Sequence, residues 1–341
     1  MKGLESILFA DENASANIDD LYCENMDKKI LSEEDIDFNQ IKNMIVFLIA
    51  EIGGEKGLSK KGIHKTCFAI KSNLGEKFEL NNMLPFYWYY YGPYSQVIND
   101  CIEMAMNDGL IEEQIVEERY KRYIVSDLNK YNPPTNLDIT KIGSVINGLN
   151  IQWYNIENLT DFIYRNYSPR IFRYHFYKTK LSIGNCSDKV PNIVFRQEHI
   201  YNVYRNQIRE WMYKSEGNLP RDDFFSIYRI IFSRYITFLQ RIFNKKLKFN
   251  TEMIGHLNDV TKITEDAWET FGEGERILEH DDYVPYHISL PIWKKKYISH
   301  LESWEKSLNA FEEHIISVIG LENLKTNYTT REKEFLKTVL R

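Results

Sequence analysis

Apolar residues fall at helical spacing over most of this chain. Ile41, Ile45, Leu48 and Ile52 follow one another at +4, +3 and +4, the repeat that lays a stripe along one face of a helix. Ser32-Glu33-Glu34-Asp35 ahead of them reads as a helix start, with acids near the positive end of the dipole, and Gly53-Gly54 reads as its stop. Ser59 opens a second helix, with Ile63, Cys67, Ile70 and Leu74 on one face and Gly75 as terminator. Then the period changes. The stretch PFYWYYYGPYSQVIND (85–100) holds six aromatics in succession, Phe86 to Tyr91, followed by Gly92-Pro93. This run is either a strand that lines a core, with about half its rings buried, or a platform on which bases stack. A third helix, Ser95–Asp108, follows Pro93 with Val97, Cys101 and Met104 beside Ile98, Ile102 and Ala105. LIEEQIVEERYKRYIVSD (110–127) then sets two short β-prone runs around a charged turn near Glu117–Arg119, the pattern of a hairpin.

Helix, helix, helix, hairpin in under a hundred residues is the order of a winged helix-turn-helix. Three short helices cannot each bury a stripe alone, so they pack around one small core, and the hairpin covers the open side. KYNPPTN (130–136) is a break. Beyond it, Leu137–Leu149 and Glu157–Tyr167 read as short helices, and SPRIFRYHFYKTKLSIGN (168–185) is ambiguous. Val194–Lys214, Asp222–Lys246, Thr251–Phe271, Trp293–Ile319 and Thr330–Leu340 all carry helical periodicity. Within Asp222–Lys246 the apolar face is wide enough for the centre of a bundle or for a homodimer interface. The expected fold is therefore mainly α. An acidic arm occupies 1–33 and a winged helix-turn-helix domain with a small β-hairpin wing occupies 34–130. A helical extension covers 131–186 and a helical bundle domain 187–341.

Charge refines this picture. The net charge of −6 hides an asymmetry, because residues 1–135 carry 14 Lys and Arg against 23 Asp and Glu, net −9, which leaves the remainder at net +3. An acidic front half argues against broad contact of that half with phosphates. No apolar run reaches the roughly 18–20 residues of a membrane span. The four cysteines, Cys23, Cys67, Cys101 and Cys186, lack any C-x-x-C spacing, and with no secretory leader in view the expected compartment is the cytoplasm.

Candidate chemistry is sparse. The exposed side of the third helix, with Gln96, Asn99, Asp100, Glu103 and Asn107, offers adenine readers but no cation and two acids. Arg119, Lys121 and Arg122 on the wing are better phosphate contacts. The most basic stretch, YRNYSPRIFRYHFYKTK (164–180), interleaves Arg165, Arg170, Arg173, Lys178 and Lys180 with aromatics and holds no acid. That suits phosphate contact with base stacking, and equally suits docking onto an acidic protein surface. Arg170 and His175 have the R-x4-H spacing used by some helical ribonucleases, a spacing common by chance. HDDYVPYH (280–287) gathers His280, Asp281, Asp282 and His287, and reads as a polar inter-helix loop ahead of a metal site. GEGER (272–276) lacks the Lys-Ser/Thr of a phosphate loop. No catalytic residue, cofactor or metal is expected.

The stretch GIHKTCFAIKSNLG…LPFYWYYYGPYSQVINDCIEMAMNDGLIEE resembles the YwgA-like winged-helix proteins and the related SocA-like (Panacea) antitoxin domain. Lys65 and Phe68 in the second helix, Tyr91-Gly92-Pro93, Ser95 and Gly109-Leu110-Ile111 carry the likeness. ENLTDFIYRNYSP (157–169) is similar to the helix that follows the wing in YwgA-like proteins, although Ser168 intervenes before Pro169. The likeness covers roughly 38–170. It implies a winged helix that binds rather than catalyses and, for the antitoxin kind, a partner protein such as a toxin. Two functions follow. One is nucleic-acid binding, to DNA in the first instance, through Arg119, Lys121, Arg122, Arg165, Arg170, Arg173, Lys178 and Lys180. The other is an adaptor that meets a protein through Tyr89, Tyr91 and Tyr94. A nuclease-type effector is a weaker third reading.

Overall fold

The structure, a computed structural model, describes residues 30–75, 83–116, 120–127, 138–192, 197–244, 251–319 and 327–339. Arg119, the break at 130–136 and residues 1–29 of the expected acidic arm lie outside them. The described chain is mainly helical, with two antiparallel two-stranded hairpins. It divides into two compact units. One runs from Lys28 to Tyr167 and takes in Glu275–Leu290, and the other comprises Ser168–Gly274 with Pro291–Arg341.

In the first unit, helix α1 spans Phe38–Leu48 and buries Ile41, Met44, Ile45 and Leu48. Its start is a correction to the sequence reading. Ser32-Glu33-Glu34-Asp35 forms a separate 3-10 turn, closed by Asp35 accepting from the Ser32 amide (2.9 Å) and hydroxyl (2.8 Å). The cap of α1 is instead Asp37, whose carboxylate accepts from the Gln40 amide at 2.9 Å. Helix α2, Lys60–Leu74, begins where expected, with the Ser59 hydroxyl accepting from the Gly62 amide at 3.1 Å. Helix α3 spans Gln96–Asn107 and buries Val97, Ile98, Cys101, Ile102 and Ala105.

Between α2 and α3 lies the first hairpin, β1 (Tyr87–Tyr89) with β2 (Gly92–Tyr94), paired Tyr87↔Tyr94, Trp88↔Pro93 and Tyr89↔Gly92. Gly92-Pro93 is thus strand rather than turn, and the turn is Tyr90-Tyr91. Proline is tolerated because its partner does not need its missing donor. The Trp88 amide points to the other edge of β1, where the Glu279 carbonyl accepts it at 2.9 Å. The second hairpin, β3 (Ile111–Val116) with β4 (Tyr120–Val125), pairs in full register from Ile111↔Val125 to Val116↔Tyr120. Leu58 adds a short third rung, exchanging amide–carbonyl bonds of 2.9 Å in both directions with Tyr123. Ile111, Tyr123 and Val125 close over the helices. Helices α4 (Ile139–Gly148) and α5 (Ile156–Tyr167) complete the unit, and both pack against α2.

The second unit is helical. Helix α6, Ile171–Lys189, settles the ambiguous stretch. Helices α7 (Gln197–Gly217), α8 (Ser226–Asn244), α9 (Thr251–Leu278), α10 (Val284–Ile319) and α11 (Thr330–Val339) follow, the end of α9 from Glu275 and the start of α10 up to Leu290 being counted with the first unit. The wide apolar face of α8 is buried, as Tyr228, Ile231, Phe232, Tyr235, Ile236, Phe238 and Leu239 are all inaccessible. Phe172 and Phe176 of α6 meet Phe232 edge-on at 5.1 and 5.0 Å. GEGER lies inside α9 rather than after it, and a methyl at Gly274 would stand 2.7 Å from the Phe225 ring. Helix α10 runs through Pro291, which forgoes one backbone bond without ending the helix. One buried ion pair crosses the bundle: the Arg234 fork meets Glu312 at 3.1 and 2.7 Å. No described helix is long and apolar enough to cross a membrane.

Candidate functional site

The aromatic hairpin is the best-defined surface feature of the first unit. Phe86, Tyr87 and Trp88 are buried in succession, Tyr89, Tyr90 and Tyr94 are half-buried, and Tyr91 at the turn is 68% exposed. Half of the six-ring run is buried, as a core strand would require. The burial does not alternate, however, because both faces of this short strand are covered. Phe86 and Trp88 meet Phe68 of α2 edge-on at 5.3 and 5.8 Å. Tyr87 meets Tyr286 at 4.9 Å.

The exposed tip is held by buried chemistry. Lys65 of α2 is 1% exposed, and its ammonium donates to the Tyr91 carbonyl while lying 4.9 Å from the centre of the Tyr164 ring. Gly92, at φ 99°, has no alternative residue: a Cβ there would stand 2.7 Å from the Tyr164 ring and 2.8 Å from the Lys65 nitrogen. His64 stacks on Tyr94 (4.6 Å, 12°), contacts the Asn99 side chain at 3.1 Å and accepts from the Ser95 amide at 3.3 Å. Asn99 donates to the Tyr94 hydroxyl in turn. Burial drives the His64 pKa down to about 3, so its ring is neutral at ordinary pH and can keep these bonds.

The other edge of β1 is covered by the segment read from sequence as a polar loop. Residues 279–281 pair antiparallel with it: Asp281 donates its amide to the Phe86 carbonyl at 2.8 Å. The Asp281 carboxylate accepts from the Phe86 amide (2.8 Å) and from Lys71 (2.6 Å). Tyr286 donates its hydroxyl to the Pro85 carbonyl at 3.1 Å. The Arg276 guanidinium lies 4.6 Å over the Tyr89 ring. Burial raises the phenol pKa of Tyr87, Tyr94 and Tyr286, so these hydroxyls stay protonated. Lys65 was legible in the resemblance. Arg276, Asp281 and Tyr286 were not, because nothing local announces a partner almost two hundred residues away.

The cations expected to meet nucleic acid are mostly committed within the chain. Lys121 pairs with Glu113 at 2.8 Å on the second hairpin, with its side chain 65% exposed. Arg122 donates to the Lys56 carbonyl at 3.2 Å and lies 4.9 Å over Trp153. Arg165 pairs with Asp161 one turn away at 2.7 Å. In the second unit Arg170 meets Asp222 at 3.1 Å and Lys180 meets Glu265 at 3.5 Å. Lys178 sits 5.7 Å from the Tyr174 ring centre. Arg173 is a correction: it is fully buried, 4.9 Å over Trp268, where no phosphate reaches it. Helical spacing turns Arg173 inward with Phe172 and Phe176, and the charge pattern alone concealed this. Arg170 faces Asp222 and His175 packs on Trp211, so the R-x4-H pair has separate partners.

Solvent screens exposed ion pairs of this kind, so Lys121 and Arg165 remain available to a stronger anion. No family model matches the chain, and no curated protein or solved structure is similar to it.

Proposed function

We propose that residues 34–127 form a winged helix-turn-helix domain of the YwgA-like and SocA-like kind, acting as a protein-binding module. The winged-helix reading rests on the order α1, α2, α3, β3, β4 and on the isolated Leu58–Tyr123 bridge, which joins the segment between α1 and α2 to the second hairpin. The protein-binding reading rests on one observation: Tyr91 stands 68% exposed on a turn whose backbone is clamped by buried Lys65 and closely packed Gly92. An aromatic ring on a fixed backbone loses little entropy on binding, and tyrosine is a favoured interface anchor. The contact face comprises Tyr89, Tyr91 and Tyr94. The free, buried thiols of Cys67, Cys101 and Cys186 fit a reducing cytoplasm.

A second reading keeps nucleic acid as the ligand. It is favoured by exposed Lys121 and Tyr120 at the outer end of the second hairpin. Against it stand the exposed acids Glu112 and Glu113 on the paired strand β3.

Purification of the tagged full chain from its native cells separates the two. A stoichiometric protein that is lost with Tyr91→Ser and kept with Lys121→Glu/Arg165→Glu supports the protein-binding module. A co-eluting nucleic acid, lost with the charge reversals and weakening linearly with log salt, overturns it.

A further inference from the structure

The second unit contains a cluster that the aromatic hairpin does not explain. His256 and Asp259 stand one turn apart on α9, and His314 faces them from α10. One donor atom from each of the three lies within 4.8 Å of the others. The two imidazole rings are 5.8 Å apart at 71°. His256 Nδ1 is 3.9 Å from the Asp259 carboxylate, too long for a hydrogen bond. Both ring nitrogens of His256 are shielded from solvent, yet among the described residues neither has a hydrogen-bond partner. Two solvent-shielded ring nitrogens left unsatisfied are costly, and native chains seldom keep them without a reason.

We propose that His256, Asp259 and His314 bind a divalent transition metal of the zinc class. Two imidazoles and one carboxylate suit zinc, cobalt or iron(II), and not the hard ions magnesium and calcium, which prefer an all-oxygen shell. Zinc bonds of about 2.0–2.2 Å put neighbouring ligand atoms roughly 3.3–3.5 Å apart in a tetrahedron. The set, whose donor atoms lie within 4.8 Å of one another, must therefore contract by up to roughly 1.5 Å at its widest separation, and the exposed His314 side chain has room to move. Three protein ligands leave the fourth position open to water or to a group from a bound molecule. The ion ties α9 to α10 and gives His256 the partner it lacks.

Chelator-treated full chain is titrated calorimetrically with zinc chloride, and cobalt(II) uptake is followed by its visible spectrum. One equivalent of zinc is expected, with a thermal midpoint raised by roughly 5–10 °C at a hundredfold excess over Kd and no shift with magnesium. His314→Ala, at an exposed position, is expected to keep the fold and to weaken zinc by at least about 100-fold, since even losing an outer partner of a ligand costs 10–100-fold. His256→Gln gives the same loss from the α9 side. His280→Ala/His287→Ala, at the other histidine pair, binds as wild type. Absence of stoichiometric zinc binding, or binding that survives both His314→Ala and His256→Gln, overturns the assignment.

Discussion

The β1–β2 hairpin and helix α6 are both dense in aromatics, and the molecule treats them oppositely. In α6 the rings of Phe172, Phe176 and Tyr177 turn inward at helical spacing and take Arg173 with them, so that a charge becomes part of the core. In the hairpin the first three rings are buried, Tyr90 stacks half-buried on Tyr89, and Tyr91 faces solvent while Lys65 holds its carbonyl. A basic–aromatic run is therefore not a surface until its period is known. A helix of period 3.6 buries whatever falls on its core stripe, charge included. A two-residue turn has no core stripe, and its tip is exposed whatever its composition.

Substitutions at these two places sharpen the contrast, the largest effect first. Arg173→Glu puts an acid into the α6 core and is expected to cost at least about 3 kcal/mol, read as a lowered thermal midpoint of the second unit. A stable Arg173→Glu protein would mean that this guanidinium is accessible after all. Gly92→Ala forces an unfavourable φ and a 2.7 Å approach to Tyr164, an expected loss of roughly 3 kcal/mol in chemical denaturation. Lys65→Met leaves the Tyr91 carbonyl without its donor, at a cost of about 1–3 kcal/mol, and is expected to speed amide exchange at the hairpin tip.

The next effect depends on pH. Unfolded His64 titrates near 6.5 and folded His64 near 3, so below pH 6.5 the unfolded state takes up a proton that the folded state refuses. Stability from this site is complete above pH 6.5 and is lost as pH falls toward 3, by about 1.4 kcal/mol per pH unit. Denaturant midpoints at pH 7 and pH 5 should differ accordingly, and His64→Gln should flatten the difference. Tyr91→Ser sits at the small end for stability, within about 0.5 kcal/mol.

Local signals account for what was legible in the sequence. The Ser59 cap, the Gly75 stop and the two hairpin strands at 111–125 were all readable, because each depends on neighbours within a few residues. Ser32-Glu33-Glu34-Asp35 satisfied the same rule and misled, since a capping box closes a 3-10 turn as readily as it starts a helix. The candidate site was legible only in part. Its rings were visible, but the segment that covers β1 comes from Glu279–Tyr286. That segment looked like a polar loop because Asp281 and the backbone around it find their partners in Phe86 and Lys71. Burial of Lys65 and Arg173 was likewise invisible to a charge count, because each lies over an aromatic ring that such a count does not register.

The central claim is that the Tyr91 tip, and not the cationic segments, meets the partner. Site-specific photocrosslinking in native cells tests it most directly, with a photoreactive phenylalanine placed in turn at 91 and at 121 in the full chain. The account expects a discrete, nuclease-resistant protein adduct from position 91 and none of comparable yield from position 121. A nuclease-sensitive adduct at 121, with position 91 silent, would contradict it.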